Sequence, residues 1–417
     1  MKKIFAVFLS LLLLLHLASC AKDKGSVDVS DSSALSDSAD NEQSADDTND
    51  DSDIDEDDKG SNDDKAIVLN KNTPGIKILG GRGIASDTQI NCDPSGSGIE
   101  FIINNRSSSL MIEATSSAVC RFKVFVNGDL HKNAFGSDYH EINRNGIIIL
   151  QNLPTGEVTV RVIKITDQYT STAQLTKLSF DGEIKTDSAP TDRELYIEFI
   201  GGSELSGAFA SDGAKAEQDI TGSYGYLLAE KMEADYSIFS LSSNMALTKT
   251  ADVAAFYSKA SPARDTDAIY DFSRKANVVV VDLGSVDAAL SATDATITSE
   301  RFAEKYEMLL DAIREKNGET CKIICVYTPG EGEFGTAIKD VCKNKMGGQS
   351  GGVYTCQRST GANGILGIQE SIDFCNKLKT YVEAAIIGKL IEGELTSETN
   401  GDGLKVSFKD NFVPISK

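Results

Sequence analysis

The chain is 417 residues long, with 40% hydrophobic and 25% charged side chains and a formal net charge of −22. That length is enough for two cored domains. An acidic chain with no basic stripe is excluded as a nucleic-acid binder. The first element is an apolar run from Ile4 to Leu17 behind Lys2 and Lys3. It is too short for a comfortable transmembrane helix and suits the apolar region of a secretory signal.

That run ends in Leu17-Ala18-Ser19-Cys20, which resembles the bacterial lipobox. The resemblance implies a signal peptide over residues 1–19 and a lipid (palmitate) on Cys20 that anchors the chain to a membrane. Ala21 resembles the second residue of lipoproteins sent to the outer membrane of a two-membrane cell. The implied location is the cell envelope, on either the periplasmic or the surface face. From Asp23 to Asp64 there are 17 acidic residues, against Lys22, Lys24, Lys59 and Lys65 across 22–65, a balance of −13. A segment of this kind cannot bury enough apolar surface to offset the entropy of ordering, so residues 20–65 read as an extended acidic tether. The acidic run lacks the glycine-punctuated pattern of a calcium loop.

Residues 66–188 read as strands and turns. Apolar alternation over Gly98–Asn105, Ser109–Thr115, Arg121–Asp129, Gly146–Leu153, Gly156–Thr166 and Leu175–Ile184 is broken by Asn-Gly, Asp-Gly and Pro-Thr-Gly signals. That pattern predicts a β-sandwich of jelly-roll type. From 189 to 392 the period changes. Near-continuous apolar strands at Glu194–Gly201, Asp235–Ser243, Asn277–Ser285, Cys321–Pro329 and Gly352–Ser359 alternate with helical patterns. The helices fall over Gly225–Ala234, around Ala254, and over Ser299–Asn317, Gly335–Lys345 and Ile368–Leu390. This predicts a three-layer, flavodoxin-like α/β domain with a parallel sheet covered on both faces. Residues 393–417 form a C-terminal extension in which Asn-Gly-Asp-Gly predicts a hairpin.

In a parallel sheet, ligands bind at the carboxyl ends of the strands. Ser203 stands there, after the strand and double glycine of "LYIEFIGGSELSG". "SGSGIEFII" (Ser95–Ile103), "KVFVNGD" (Lys123–Asp129), "GEVTVRVIKIT" (Gly156–Thr166), "IEFIGGSELSG" (Ile197–Gly207) and the helix and strand of Ser223–Ser243 follow one another. Taken in that order they resemble carbohydrate esterase family 2, a jelly roll followed by an SGNH/GDSL-type hydrolase domain that deacetylates plant polysaccharides and related sugars. The resemblance covers roughly residues 75 to 390 and maps the family's nucleophile onto Ser203. The other catalytic positions depart from it: Gly202, Ser243, Val286 and Ile365 stand where the family has an acid, a glycine N–H, an oxyanion-binding amide and the catalytic imidazole. Of three histidines, His16 lies in the signal, His131 and His140 lie in the first domain, and the α/β domain has none.

A serine hydroxyl needs a base during attack, and His is the usual one. Removing one oxyanion donor costs on the order of 100-fold to 1,000-fold. The expectation is therefore a decayed catalytic site. Other sources of a base are a lysine, though none stands in the last-helix segment before Lys377, a carboxylate such as Glu204 or Asp287, or His131 or His140 reaching across domains. Asp287 reads better as a cap, and the two histidines as surface residues in loops. Three functions follow: a catalytically inactive scaffold binding a glycan or another protein, an active acetylesterase with Ser203 as nucleophile and an unusual base, or a structural or adhesive surface protein. The chain has no Trp, so a sugar would have to stack on Tyr or Phe, such as Tyr224, Tyr226 or Tyr327, each of which reads first as a packing residue; this weakens carbohydrate binding relative to protein contact. Besides Cys20 there are seven cysteines, an odd number. Cys92 with Cys120 and Cys342 with Cys356 are the first pairings to expect, the alternative being buried thiols, as for Cys325 inside a strand. No Cys-x-x-Cys has histidine partners, so neither zinc nor another cofactor is expected.

Overall fold

A computed structural model describes residues 66–82, 85–207, 218–241, 245–261, 269–359 and 366–391, with the backbone of 396–400 and 403–407. The expected signal, Cys20 and the acidic tether lie outside the described residues, as do Ser243 and Ile365.

Alternating apolar residues build the first half. Its strands are β1 (Ile67–Val68), β2 (Ile76–Leu79), β3 (Ile90–Asn91), β4 (Gly98–Ser116), β5 (Cys120–Val126), β6 (Asp129–His131), β7 (His140–Ile142), β8 (Asn145–Gln151), β9 (Gly156–Lys164) and β10 (Ala173–Ile184). All pair antiparallel in one ten-stranded network. Two of the expected strands, Gly98–Asn105 and Ser109–Thr115, are one long strand, β4. It pairs with β2 and then β10 on one side, and with β9 and then β8 on the other. The Asn-Arg-Ser-Ser stretch within it does not break the strand, because the Asn105 side-chain amide donates to Ser107 O and Pro154 O. Phe101, Ile103, Leu110, Ile112, Phe122, Val160 and Leu178 meet in the core. The Asn127-Gly128 pair, both with positive φ, turns β5 into β6.

The second half is a parallel sheet of β11 (Tyr196–Gly201), β12 (Asp235–Ser240), β13 (Val278–Asp282), β14 (Lys322–Tyr327) and β15 (Val353–Gln357). Its order is β12-β11-β13-β14-β15, the 2-1-3-4-5 order of a doubly wound sheet. Every residue of β11 and β13 is buried, which is why these strands read as near-continuous apolar runs, interrupted in β11 by the buried Glu198. The helices are α1 (Tyr224–Lys231), α2 (Val253–Tyr257), α3 (Ser285–Ser291), α4 (Ser299–Asn317), α5 (Glu333–Asp340) and α6 (Ile368–Ile386). Alternate strand residues feed opposite faces. Phe199 and Val280 pack with Tyr224, Leu228, Phe374 and Leu378 of α1 and α6. Ile200 and Val279 pack with Phe302, Tyr306, Leu310 and Ile338 of α4 and α5. Helix α4 keeps the bounds its pattern predicts, because Thr298 accepts the Arg301 N–H at its start and Gly318, at φ 89°, ends it. Helix α3 was not expected. Strands β16 (Thr396–Asn400) and β17 (Gly403–Ser407) pair antiparallel, as the hairpin signal predicted. Among the described residues no helix is long and apolar enough to cross a membrane.

The two halves share a core within one compact unit. Leu79, Ile163 and Ile165 of the β half join the α1/α6 cluster. Arg161 forms a bidentate pair with Glu230 at 2.9 Å, and Lys77 reaches Asp235 at 2.7 Å. Arg82, only 1% exposed, enters the α/β half, where Nε lies 2.9 Å from Glu198 Oε1 and a guanidinium N–H donates to Tyr257 O and Lys259 O. The rings of Phe239 and Tyr257 cover it.

Candidate functional site

Beyond Gly201 the chain makes three consecutive turns, with N–H groups of Leu205, Ser206 and Gly207 donating to the carbonyls of Gly202, Ser203 and Glu204. Gly207 holds φ 84°, and a Cβ there would lie 2.2 Å from the Asp219 carbonyl carbon, so only glycine closes this turn. Ser203 is half-buried, and a Cβ on Gly202 would meet none of the described residues within 4 Å. The turn lies at the carboxyl edge between β11 and β13, where the strand order reverses.

Beside it lies a charged cluster that the sequence reading did not anticipate. Arg358 follows β15 and is buried; it reaches back over the sheet to Glu204 Oε2 at 2.7 Å and stands 3.2 Å from Asp282 Oδ2 at the tip of β13. The Asp282 contact is an ion pair without hydrogen-bond alignment. Tyr224 donates its hydroxyl to Asp282 at 2.5 Å. Burial opposes the charge on Arg358, but Asp282 and Glu204 outweigh it and hold its pKa above the usual value. Burial raises the Glu204 pKa, and Arg358 offsets part of that rise. Glu331, 4% exposed, accepts the Thr328 N–H at 3.0 Å through Oε2, while its Oε1 has no partner among the described residues. Burial pushes its carboxyl up to about 7, and the charge of Asp282 adds to the rise. The signal for Arg358 was its place, one residue past the carboxyl end of a parallel strand.

The candidate bases are otherwise engaged. Glu204 is held by Arg358. Asp287, buried on α3, accepts the N–H groups of Leu247 and Thr248 at 2.9 Å each, so it caps the turn at Leu247–Lys249 and not its own helix. His131 and His140 are not surface loop residues. They lie on β6 and β7 with stacked rings 5.7 Å apart. His140 is buried, and that burial, with the neighbouring His131, lowers its pKa to about 4. His131 Nε2 lies 2.9 Å from Gln151 O. Val286 packs against the α4/α5 core. Among the described residues no group of three or more His, Cys, Asp or Glu side chains could hold a metal ion.

The three tyrosines follow their packing reading, and the cysteine pairings need correction. Tyr224 and Tyr226 are core residues, 1% and 5% exposed, and Tyr327 is half-buried beneath Lys339, so none is a platform. The seven described cysteines are all free thiols. Cys342 and Cys356 pack on opposite faces of the parallel sheet, which rules out a bridge between them. Cys92 and Cys120 share the β-half core but remain thiols, with Cys92 Sγ 4.0 Å from Ile90 O.

The β half braces the Ser203 turn. Asp167, beyond β9, accepts from Ser206 Oγ at 2.5 Å, and that hydroxyl also lies 2.7 Å from Ser203 O. A cavity of about 360 Å³ lies at the opposite edge of the sheet, lined by Gly81, Tyr196, Asp235, Tyr270 and Arg274. Its inner charges are satisfied, since Asp235 is paired with both Lys77 and Arg274.

A family two carbohydrate esterase from Clostridium thermocellum, in complex with cellohexaose, superposes with a TM-score of 0.62 at 20% identity, over 74% of this chain and 98% of that one. One from Cellvibrio japonicus gives 0.65 at 16%, over 78% and 98%. The chain has the fold of the family two carbohydrate esterases. A third structure, of a carbohydrate esterase whose active site displays divergent catalytic and non-catalytic binding functions, gives 0.56 at 17%, over 74% and 97%. No protein-family model matches the sequence, and no curated protein matches it. At these identities the likeness establishes the fold and not the activity.

Proposed function

We propose that this chain is a lipid-anchored envelope protein that has kept the family two esterase scaffold, lost catalysis, and uses the crevice at Ser203 to bind a glycan. The observation that carries the proposal is the ion-paired Arg358 beside the Ser203 turn, in a half with no imidazole anywhere in its sequence. A guanidinium held by two carboxylates cannot take a proton, and the Val286 side chain offers no donor to an oxyanion. Both sources of rate are missing together. Glycan is favoured over protein because one relative of this fold was crystallised with cellohexaose and another has non-catalytic binding in its active site.

The test is hydrolysis of nitrophenyl acetate and acetylated xylan by the protein and by Ser203→Ala. Turnover is expected to stay within about tenfold of the variant, with no fluorophosphonate label on Ser203, since both need an activated hydroxyl. Stoichiometric labelling, with turnover lost in Ser203→Ala, would restore the acetylesterase reading. For the anchor, Cys20→Ser is expected to abolish palmitate labelling and release the chain from membranes; an unlabelled parent protein would overturn that part.

A further inference from the structure

A glycan site without tryptophan needs another aromatic plane, and among the described residues only two aromatic side chains are exposed. Phe135, at 94%, stands on a turn of the β half; Tyr169 is 39% exposed. Only Tyr169 is tied to the Ser203 turn. Its N–H donates to Asp167 Oδ1 at 2.7 Å, and the other oxygen of that carboxylate takes the Ser206 hydroxyl, which also touches Ser203 O. The next residue back, Gln168, is buried and donates to Ser240 O at the carboxyl end of β12. The Tyr169 hydroxyl itself reaches Met245 Sδ at 3.8 Å, in the chain beyond that strand. The segment between β9 and β10 is thus fastened over the carboxyl ends of β11 and β12, and it carries the exposed Tyr169 ring against the chain beyond β12.

We infer that Tyr169, supplied by the β half, is the platform on which a pyranose ring stacks at the Ser203 crevice. This inference rests on the binding reading above and deepens it. An equatorially substituted pyranose has an apolar C–H face that suits an aromatic plane, while its hydroxyls meet hydrogen-bonding groups at the edge. Here those groups are the Ser203 hydroxyl and the partly exposed Glu204 carboxylate. The ligand class is a β-linked oligosaccharide with equatorial linkages. Anchoring by Asp167 and Gln168 leaves little loop motion to be frozen on binding, which favours affinity.

The absence of tryptophan supplies the probe. Tyr169→Trp makes residue 169 the sole indole of the chain, so its emission reports on this position alone. Cellohexaose and acetylated xylan are titrated into the mature full-length protein and its variants by calorimetry, and into Tyr169→Trp by fluorescence. Tyr169→Ala is expected to weaken binding by about tenfold or more, Tyr169→Phe to stay within about threefold, and Phe135→Ala to change nothing, since a central aromatic contact dominates a small site. The Tyr169→Trp emission is expected to shift with ligand. If Tyr169→Ala binds like the parent while Glu204→Ala binds weakly, the crevice reading stands and the platform is overturned. A parent protein that binds neither probe overturns the binding reading and the platform together.

Discussion

The Glu331→Gln substitution keeps the shape of a buried side chain and removes its charge. Glutamine can still accept the Thr328 N–H through its carbonyl oxygen, so the capping turn survives. In the folded chain the carboxyl titrates at about 7 instead of its ordinary 4.5. Between those values the folded protein holds a proton that the unfolded chain has released, so stability falls as pH rises through the window and levels off above it. At about 1.4 kcal/mol per pH unit, the difference accumulates to about 3 kcal/mol. His140 works in the opposite sense. Its pKa drops from 6.5 to about 4 on folding, so the unfolded state binds the extra proton and stability rises with pH between those values. These two contributions therefore nearly cancel between about 4.5 and 6.5, and they separate only in the comparison with the variant. Urea unfolding of both proteins at pH 5 and pH 8 is the assay. The variant is expected to match the parent at pH 5 and exceed it by up to about 3 kcal/mol at pH 8. An equal difference at both values, or a variant less stable at pH 8, would refute the reasoning.

Arg82→Ala is expected to cost about 3 to 5 kcal/mol in urea unfolding, because it strands the buried Glu198 carboxylate. Arg82→Lys should recover little of this, since one ammonium cannot match the fork to Glu198, Tyr257 and Lys259; a loss below about 1 kcal/mol for Arg82→Ala would show that the pair is not what joins the halves. The native chain with Cys20 replaced should react with a thiol reagent hardly at all and in denaturant at seven sites, because every described cysteine is buried and free. Burial also pushes the thiols of Cys321 and Cys356 up to about 12. Fewer than seven reactive thiols after unfolding would point to a bridge.

Much of the fold was legible because the two halves bury their strands differently. The strand-and-turn text of residues 66–188 and the apolar runs of β11 and β13 are local signals, set by which faces of a strand meet water. Helix α4 was readable to the residue because Thr298 and Gly318 act on their own neighbours. Ser203 was legible too, as a small polar residue on a glycine turn past a strand. The missing imidazole was legible as a simple count.

What only the tertiary structure decided involves residues far apart in sequence. Asp287 looked like a cap for its own surroundings, yet it serves the backbone of Leu247 and Thr248, 40 and 39 residues away. Arg358 meets Glu204 across 154 positions, and no spacing rule connects them. Cys342 and Cys356 lie close in sequence, but a helix and a strand take them to opposite sides of one sheet. Composition and periodicity record how each segment meets solvent, which residues select locally. Which charge neutralises which depends on how the strands are ordered and how the halves dock, and that order is set by the summed packing of the whole chain.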